Sequence, residues 1–364
     1  MLIGIPKEIK SDENRVGITP AGVHSFIKNN HSVIIEKGAG IGSGISDKEY
    51  CKEGAKIVST ADEIFSKSEM IIKVKEPLET EIHKLQKSQI LYTYLHLAAD
   101  KNLTEKLCKR EIIGIAYETI EENGKLPLLE PMSEIAGKVS SIMGSYFLAK
   151  PYGGSGILSG GVAGVHSANF LILGGGTAGL NAAKIAAGLG ARVVIMDIDL
   201  ERMRYLEDIL PKNCETIMSN KINIEKEITV SDVIIGTVLI PGAKTPHLIT
   251  KTMLKQMKQN TVIVDVSIDQ GGCVETSKPT THHDPVYFDN GILHYCVANM
   301  PGAYPRSATF ALTNVTLPYG LKIANLGINQ IVKDPIIKKG INIFKGAITH
   351  PKVAEAHELE YTPM

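Results

Sequence analysis

Residues 169–179 read NFLILGGGTAG, so that Gly174, Gly176 and Gly179 make the spacing Gly-x-Gly-x-x-Gly. The spacing alone is a weak signal; its surroundings give it meaning. It follows an apolar run, opens the alanine-rich stretch AGLNAAKIAAGLG, and leads to a second apolar run, RVVIMD, that ends in Asp197. In a strand–turn–helix unit the first glycine permits the tight turn, the second lets the backbone approach a pyrophosphate, and the third lets helix and strand pack closely. The helix N-terminus adds free N–H groups and a partial positive charge for phosphate oxygens. A carboxylate about twenty residues further on accepts hydrogen bonds from ribose hydroxyls and repels a 2′-phosphate. The pattern therefore predicts a dinucleotide site that favours NAD over NADP, with Arg202 and Arg204 close enough to soften that preference.

In doubly wound sheets ligands sit beyond the carboxyl ends of the strands, so the polar residues just past those ends are the candidates for chemistry. They are Arg15 in the loop after Leu2–Ile5, Lys73 and Lys75 at the end of Met70–Val74, His96 after Ile90–Leu95, and Asp269 after Thr261–Val266. Arginine and lysine suit a substrate carboxylate. A histidine titrates near neutrality and serves as acid or base during hydride transfer. An aspartate beside a nicotinamide orients water or ammonia. Together these residues fit the interconversion of an amino acid and a keto acid. Each also has a plainer reading. Lys73 and Lys75 fall on the same strand face, so alternation does not choose between them. Arg15 lies in the charged stretch SDENRVGITP, where a solvated role is ordinary, and His96 could simply enter a helix. Asp269 precedes Gln270-Gly271-Gly272 and suits a turn. His282 and His283 are adjacent but have no nearby cysteine or acid to complete a metal site, so no metal is expected.

The elements that must position these groups follow from the apolar runs. Strands are predicted at Leu2–Ile5, Ser32–Glu36, Met70–Val74, Ile90–Leu95 and Ile112–Tyr117, with helical spacing between them at Ala61–Ser66 and Asn102–Lys109. An amphipathic helix is predicted from Ser133 to Lys150, carrying Ile135, Val139, Ile142, Met143 and Tyr146 on one face. The glycine-rich segment Tyr152–Gly164 reads as a floppy loop or a mobile flap. A second series then runs Asn169–Leu173, Arg192–Met196, Ser231–Ile235, a helix near Lys251–Lys258, Thr261–Val266 and Gly291–Val297. Ser307–Leu326 reads as helical with a break at Pro318, followed by further helical pieces such as Gln330–Lys333. Strand–helix alternation implies parallel sheets covered on both faces. The fold class is α/β, with two doubly wound, Rossmann-like domains. The substrate domain takes residues 1–128 and 304–364, and the nucleotide domain 129–303, the C-terminal segment folding back onto the first.

The 364-residue length fits two domains. Lys and Arg number 39, as do Asp and Glu, and that balance argues against a polyanion-binding protein. Trp is absent and aromatics are 5%, which weakens a base-stacking or membrane-belt role. Pro151–Ala183 holds no charged residue, but ten glycines and several polar residues interrupt it, so a loop entering a buried strand fits better than a membrane span. The start, MLIGIPKEIK, places Pro6, Lys7 and Glu8 where a signal peptide needs an apolar run. Five widely spaced cysteines without a Cys-x-x-Cys suit reduced thiols and a cytoplasmic protein.

The segments IGIPKEIK, NRVGITP, IIKVKEP, YLHLAAD, LEPMSEIAGK, LILGGGTAGLNAA, VDVSIDQGG, PTTHHDPVY and VANMPGAYPRSATFALTN resemble the family of alanine dehydrogenases and the NAD-binding part of proton-translocating transhydrogenases, over nearly the whole length. The resemblance implies reversible oxidation of L-alanine by NAD and water to pyruvate and ammonia. It implies that Arg15 and Lys75 bind the substrate and that His96 and Asp269 form the acid/base pair, with closure of the two domains excluding water. It further implies NAD contacts from Ser133, Thr177, Ala178, Asp197, Arg202, Ser219, Val238, Leu239, Val266, Ser267, Ile268, Asp269, Val297, Ala298, Asn299 and Met300, beside Gly174, Gly176 and Gly179. Members are commonly hexamers, so a homo-oligomer is expected, with small-molecule substrates and neither nucleic-acid nor membrane partners. Two positions depart from the family pattern. Lys278 stands where an arginine contacting the cofactor is expected, keeping the charge and losing the fork. Tyr304 stands where a small β-branched residue usually follows NMPGA, at the domain junction. The alternatives are an NAD-binding subunit of a transhydrogenase-type complex and a non-catalytic nucleotide-dependent scaffold.

Overall fold

Apolar runs without alternation suit strands covered on both faces, and most of the runs identified above fold that way. Every residue of the strands Ile90–Thr93, Ile113–Ala116, Val233–Gly236 and Val262–Asp265 is buried. The computed structural model describes residues 1–238 and 245–364, so Leu239 lies outside the described residues. The chain divides into two units, Met1–Met132 with Tyr304–Met364, and Ser133–Ala303.

The first unit begins with β1 (Leu2–Ile5), β2 (Ser32–Glu36), β3 (Lys56–Val58), β4 (Met70–Ile72), β5 (Ile90–Thr93) and β6 (Ile113–Ala116). The second holds β7 (Asn169–Leu173), β8 (Arg192–Asp197), β9 (Cys214–Met218), β10 (Val233–Gly236), β11 (Val262–Asp265), β12 (Val286–Asp289) and β13 (Ile292–Tyr295). The C-terminal segment adds β14 (Ile341–Phe344) and β15 (Ala347–Ile348) to the first sheet. The orders are β15-β14-β6-β5-β4-β1-β2-β3 and β12-β13-β11-β10-β7-β8-β9. In both, six parallel strands follow the doubly wound 3-2-1-4-5-6 order, which leaves a crevice at the carboxyl ends where the order reverses. Antiparallel strands are confined to the edges. The α/β class and the closing of the first domain by the C-terminal segment are as expected.

The differences lie where local signals are weak. Strands β3, β9 and β12 sit at or near sheet edges, are short, and mix polar with apolar residues. Between β14 and β15, Lys345 and Gly346 both have positive φ, the geometry of a tight hairpin turn. Pro318 does not break its helix, which runs unbroken from Pro305 to Leu326. Buried Leu312, Thr313, Thr316, Gly320 and Ile323 hold one face, and the Tyr92 hydroxyl donates to the Thr316 carbonyl (3.0 Å). Tertiary packing thus outweighs a local cost of about 3 kcal/mol. The long helix runs Glu130–Phe147, starting earlier than its apolar face suggested, because Pro131 is well tolerated in a first helical turn. A 3₁₀ turn, Met253–Gln256, replaces the helix expected near Lys251–Lys258. The glycine-rich loop after the long helix is not floppy but pinned: Gly156 N–H donates to Leu148 O (2.7 Å), Ala168 N–H to Ser159 O (3.0 Å), and the Ser145 and Ser159 hydroxyls bond each other (2.7 Å). Among the described residues, no helix is long and apolar enough to cross a membrane.

A buried ionic cluster lies at the end of β4. The fully buried Lys73 ammonium donates to Glu8 (3.0 Å) and Glu81 (2.7 Å). Glu8 also accepts from Val74 N–H (2.6 Å), Glu81 from Leu78 N–H (2.9 Å), and the Tyr117 hydroxyl donates to Lys73 O (3.0 Å). Burial disfavours the Lys73 charge, but the two carboxylates outweigh it and raise its pKa. Removing one partner of such a cluster strands the others without solvent. Lys73→Met is therefore expected to lower unfolding free energy by about 3–5 kcal/mol in denaturant titration, and Lys75→Met, at a half-buried position, by less than about 1 kcal/mol.

Candidate active site

In the first unit the chemistry-bearing residues follow consecutive strands of the sheet. Arg15 lies in the loop after β1, and its guanidinium is only 2% exposed. Glu13, also buried, accepts from Arg15 Nε (2.7 Å), from Nη2, and from its backbone N–H (3.0 Å). Arg15 Nη1 lies 3.1 Å from Met132 Sδ. Burial opposes the Arg15 charge, but Glu13 outweighs it and the pKa is raised. The loop is held from the C-terminal segment: Val16 N–H donates to Thr309 Oγ1 (3.1 Å), and the Arg306 guanidinium donates to Ser43 O and Gly44 O. A solvated role for Arg15 is thereby excluded.

The structure also separates the two lysines. Strand β4 ends at Ile72, so the chain no longer alternates at 73–75. Lys73 is locked between Glu8 and Glu81 just past the end of β4, and the half-buried Lys75 places Nζ 3.5 Å from His96 Nε2. Glu8 accepts weakly from Lys75 N–H (3.4 Å), and the Thr93 hydroxyl donates to Lys75 O (3.1 Å), fixing its backbone. The neighbouring Glu76 is paired with Lys10. Burial would raise the Glu76 pKa, but Lys75, His96 and Lys10 together hold it below the ordinary carboxylate value.

His96 follows β5 in a left-handed conformation, φ 50° and ψ 33°. Its exposed ring stacks on buried Tyr94, with centroids 5.8 Å apart and planes 13° apart. The Glu118 carboxylate, just past β6, accepts from His96 N–H (2.6 Å) and Leu95 N–H (3.1 Å). Leu97 O, one residue on, bonds His357 Nε2 (2.6 Å) from the C-terminal helix Pro351–His357.

In the second unit the glycine turn joins β7 to the helix Thr177–Gly188. Gly174 has φ 101°, which side chains rarely adopt. A Cβ on Gly179 would collide with the Gly174 carbonyl, so this glycine sets how closely turn and helix approach. Around Gly176, at the N-cap, a Cβ would meet nothing within 4 Å. That open cradle, at the start of a helix whose first N–H groups, those of Thr177 and Ala178, have no acceptor within the helix, fits a phosphate diester. Asp197 ends β8; its Oδ2 accepts from Gly175 N–H (2.6 Å) and its Oδ1 from Ile198 and Asp199 N–H (2.7 and 2.9 Å). Arg202 donates through Nε to Gly175 O (2.6 Å) and through Nη2 to Gly176 O (3.3 Å). Acid and cation therefore brace the turn, with Ser219 N–H bonded to Asp197 O (2.9 Å).

The other expected contacts also fall at carboxyl ends of this sheet. Half-buried Val238 follows β10, and its carbonyl accepts from the Ser267 hydroxyl (2.7 Å). Val266, Ser267, Ile268 and Asp269 form the 3₁₀ turn Val266–Gln270 after β11, with Asp269 exposed. Asp265, fully buried, accepts from Ser267, Cys273 and Val274 N–H (3.1, 3.0 and 3.2 Å) and from Ser277 Oγ (2.6 Å), clamping both ends of the segment that carries Asp269. Burial lifts the Asp265 pKa although these donors pull it down. Val297, Ala298, Asn299 and Met300 follow β13, and Ala298 N–H is tied to Thr280 O (3.2 Å). Ser133 lies in the first turn of the long helix. Lys278 is exposed, its ammonium 6.0 Å from the Tyr287 ring centroid. Tyr304 is exposed just before the helix Pro305–Leu326. Among the described residues no group of three metal-ligating side chains comes together.

Sequence reading missed Glu8, Glu13, Glu118 and Asp265, the carboxylates behind the candidates. Only Glu13 and Asp265 carried any signal, as an acid two residues before Arg15 and an acid ending a buried strand.

Comparison with known proteins sharpens this picture. The family descriptions "Alanine dehydrogenase/PNT, N-terminal domain" and "Alanine dehydrogenase/PNT, C-terminal domain" match residues 4–136 and 140–351. The chain is 53% identical to an alanine dehydrogenase of Methanococcus maripaludis, over 100% of this chain and 98% of that protein. It is also 53% identical to one of Staphylococcus haemolyticus, with the same coverage. A solved L-alanine dehydrogenase superposes with a TM-score of 0.95 at 48% identity, covering 98% of this chain and 99% of that one. A transhydrogenase of Sinorhizobium meliloti shares the fold at 24% identity and a TM-score of 0.82, over 96% and 99% of the two chains. With both family domains matched and full-length relatives at this identity, the chain belongs to the alanine dehydrogenase/PNT family.

Proposed function

We propose that the chain catalyses the NAD-dependent, reversible oxidative deamination of L-alanine to pyruvate and ammonia. The observation that carries this reading is the Lys75–His96 pair, 3.5 Å apart at the carboxyl edge of the first sheet. It puts a fixed cation and a proton acceptor within reach of one small amino acid. Arg15 and Lys75 hold the substrate carboxylate, the first as a planar fork and the second as a point charge. His96 takes a proton from the substrate amine as Cα becomes an imine carbon, and returns one in the reverse direction. Asp269, on its braced turn, orients the water that adds to the imine before ammonia leaves. Bound NAD supplies the hydride acceptor. Gly174, Gly176, Gly179 and the first turn with Thr177 and Ala178 hold its phosphates, and Asp197 and Arg202 take the adenosine side. Ser133, Ser219, Val238, Val266–Asp269, Lys278 and Val297–Met300 complete its contacts. The Asp197 carboxylate supports NAD over NADP, since it would repel a 2′-phosphate.

The reading includes a homo-oligomer, a hexamer by family likeness, in the cytoplasm. Five free thiols suit a reducing compartment. Ile142 and Tyr146 on the long helix and Tyr152, Leu158, Val162 and Val165 after it are exposed apolar residues of the second unit, with Tyr146 and Tyr152 stacked 4.2 Å apart. Such an apolar stretch supports self-association.

Purified chain given NAD and L-alanine at alkaline pH is expected to form NADH, read by its absorbance. No NADH with NAD binding confirmed would overturn the assignment. His96→Ala is expected to cut turnover by about 10²–10⁴-fold with NAD affinity retained; unchanged turnover would mean that the base lies elsewhere. In sedimentation velocity the protein is expected to run as an oligomer, and the double change Val162→Asp and Val165→Asp to shift it to smaller species.

A further inference from the structure

We propose that Glu118 is the positioning residue for His96, an inference that rests on the acid/base role given to His96 above. Strands β5 and β6 are parallel neighbours, with Thr93 opposite Ala116. Glu118 lies as far past the end of β6 as Leu95 lies past the end of β5. Its carboxylate crosses between the two strand ends and accepts from consecutive backbone groups, Leu95 N–H at 3.1 Å and His96 N–H at 2.6 Å.

Consecutive N–H groups of an extended strand point in opposite directions. They converge on one anion only where the backbone leaves the strand conformation. The chain does so past Thr93, where β5 ends, and His96 itself then takes φ 50° and ψ 33°, a region that few residues other than glycine occupy. Past the strand end the two N–H groups share one anionic acceptor, and the protein supplies it from its own side chain. The same backbone conformation sends the imidazole over the Tyr94 ring and brings Nε2 to 3.5 Å from the Lys75 ammonium. Without the carboxylate the peptide planes that carry these two N–H groups lose the acceptor that holds them, and with them the direction from which the His96 side chain departs is no longer fixed. The ring then leaves the Tyr94 stack and the Lys75 ammonium. Glu118 touches neither reactant in this account; it acts through the direction in which the imidazole points.

The test uses the full-length enzyme. Glu118→Ala is expected to lower kcat about 10- to 100-fold, the scale of a displaced catalytic group, with the alanine KM and the NAD dissociation constant changed less than about 3-fold. Glu118→Gln keeps an oxygen for the short bond to His96 N–H and is expected to recover most of the lost kcat. Glu118→Asp, which keeps the charge but is one methylene too short to reach both groups, is expected to lose kcat as well. It serves as the readout if the alanine variant does not fold. Adding Glu118→Ala to His96→Ala should cost nothing further, because a residue that acts only through the imidazole has nothing left to position. Wild-type kcat in Glu118→Ala or Glu118→Asp, with His96→Ala inactive, would overturn the proposal and leave the function standing. Losses that add to those of His96→Ala would also overturn it. Full activity in His96→Ala would instead sink the acid/base reading on which it rests.

Discussion

Where a parallel strand ends, its next backbone N–H groups lose the ladder and must find another acceptor. In this protein buried or half-buried carboxylates meet that need beside four of the groups proposed for chemistry. Glu8 takes Val74 and Lys75 N–H. Glu13 takes the backbone and side chain of Arg15. Glu118 takes Leu95 and His96 N–H, and Asp265 takes Ser267, Cys273 and Val274 N–H. An ionised acceptor makes a stronger bond than a neutral one, and in poorly solvated surroundings it is costly to pull away. The loops after the strands, ordinarily the loosest parts of an α/β fold, are thereby made as definite as the sheet. Charged side chains placed on them inherit that precision.

The two sheets share one strand order but use their carboxyl ends differently. The second unit presents backbone: an open glycine cradle and a helix N-terminus, with an acid and an arginine bonded to the turn. The first presents side chains: a guanidinium, an ammonium and an imidazole. On the proposed function, this division follows from what each would recognise. A diphosphate is large and invariant and suits preformed N–H groups. A small amino acid offers one carboxylate and one amine, which call for a few fixed charges.

The glycine turn and Asp197 were legible in the sequence because their requirements are local: a positive φ, a close approach, an acid at a strand end. The principal strands were legible because burial on both faces leaves a continuous apolar run. The choice between Lys73 and Lys75 was not. It turns on Glu8 and Glu81, distant from each other in the chain, meeting at the end of β4 and capturing the first lysine. Glu118 was invisible for the same reason, since an acid after a strand is commonplace until the neighbouring strand sets two N–H groups beside it. The edge strands β3, β9 and β12 failed as signals because half-exposed strands need no apolar run. The continuity of the helix through Pro318 depended on a buried face that no short window contains.

The first unit is discontinuous in the chain, and its last parts come from the far end. The helix that braces the Arg15 loop, the hairpin that closes the sheet beyond β6, and the histidine bonded to Leu97 O all lie beyond residue 304. During synthesis the glycine-turn unit emerges whole and can fold while the ribosome is still at work. The other unit must wait with an open sheet edge until the segment beyond residue 304 has left the exit tunnel. A nascent chain therefore completes the glycine-turn unit first, and Arg15, Lys75 and His96 gain their full surroundings only once that later segment has emerged.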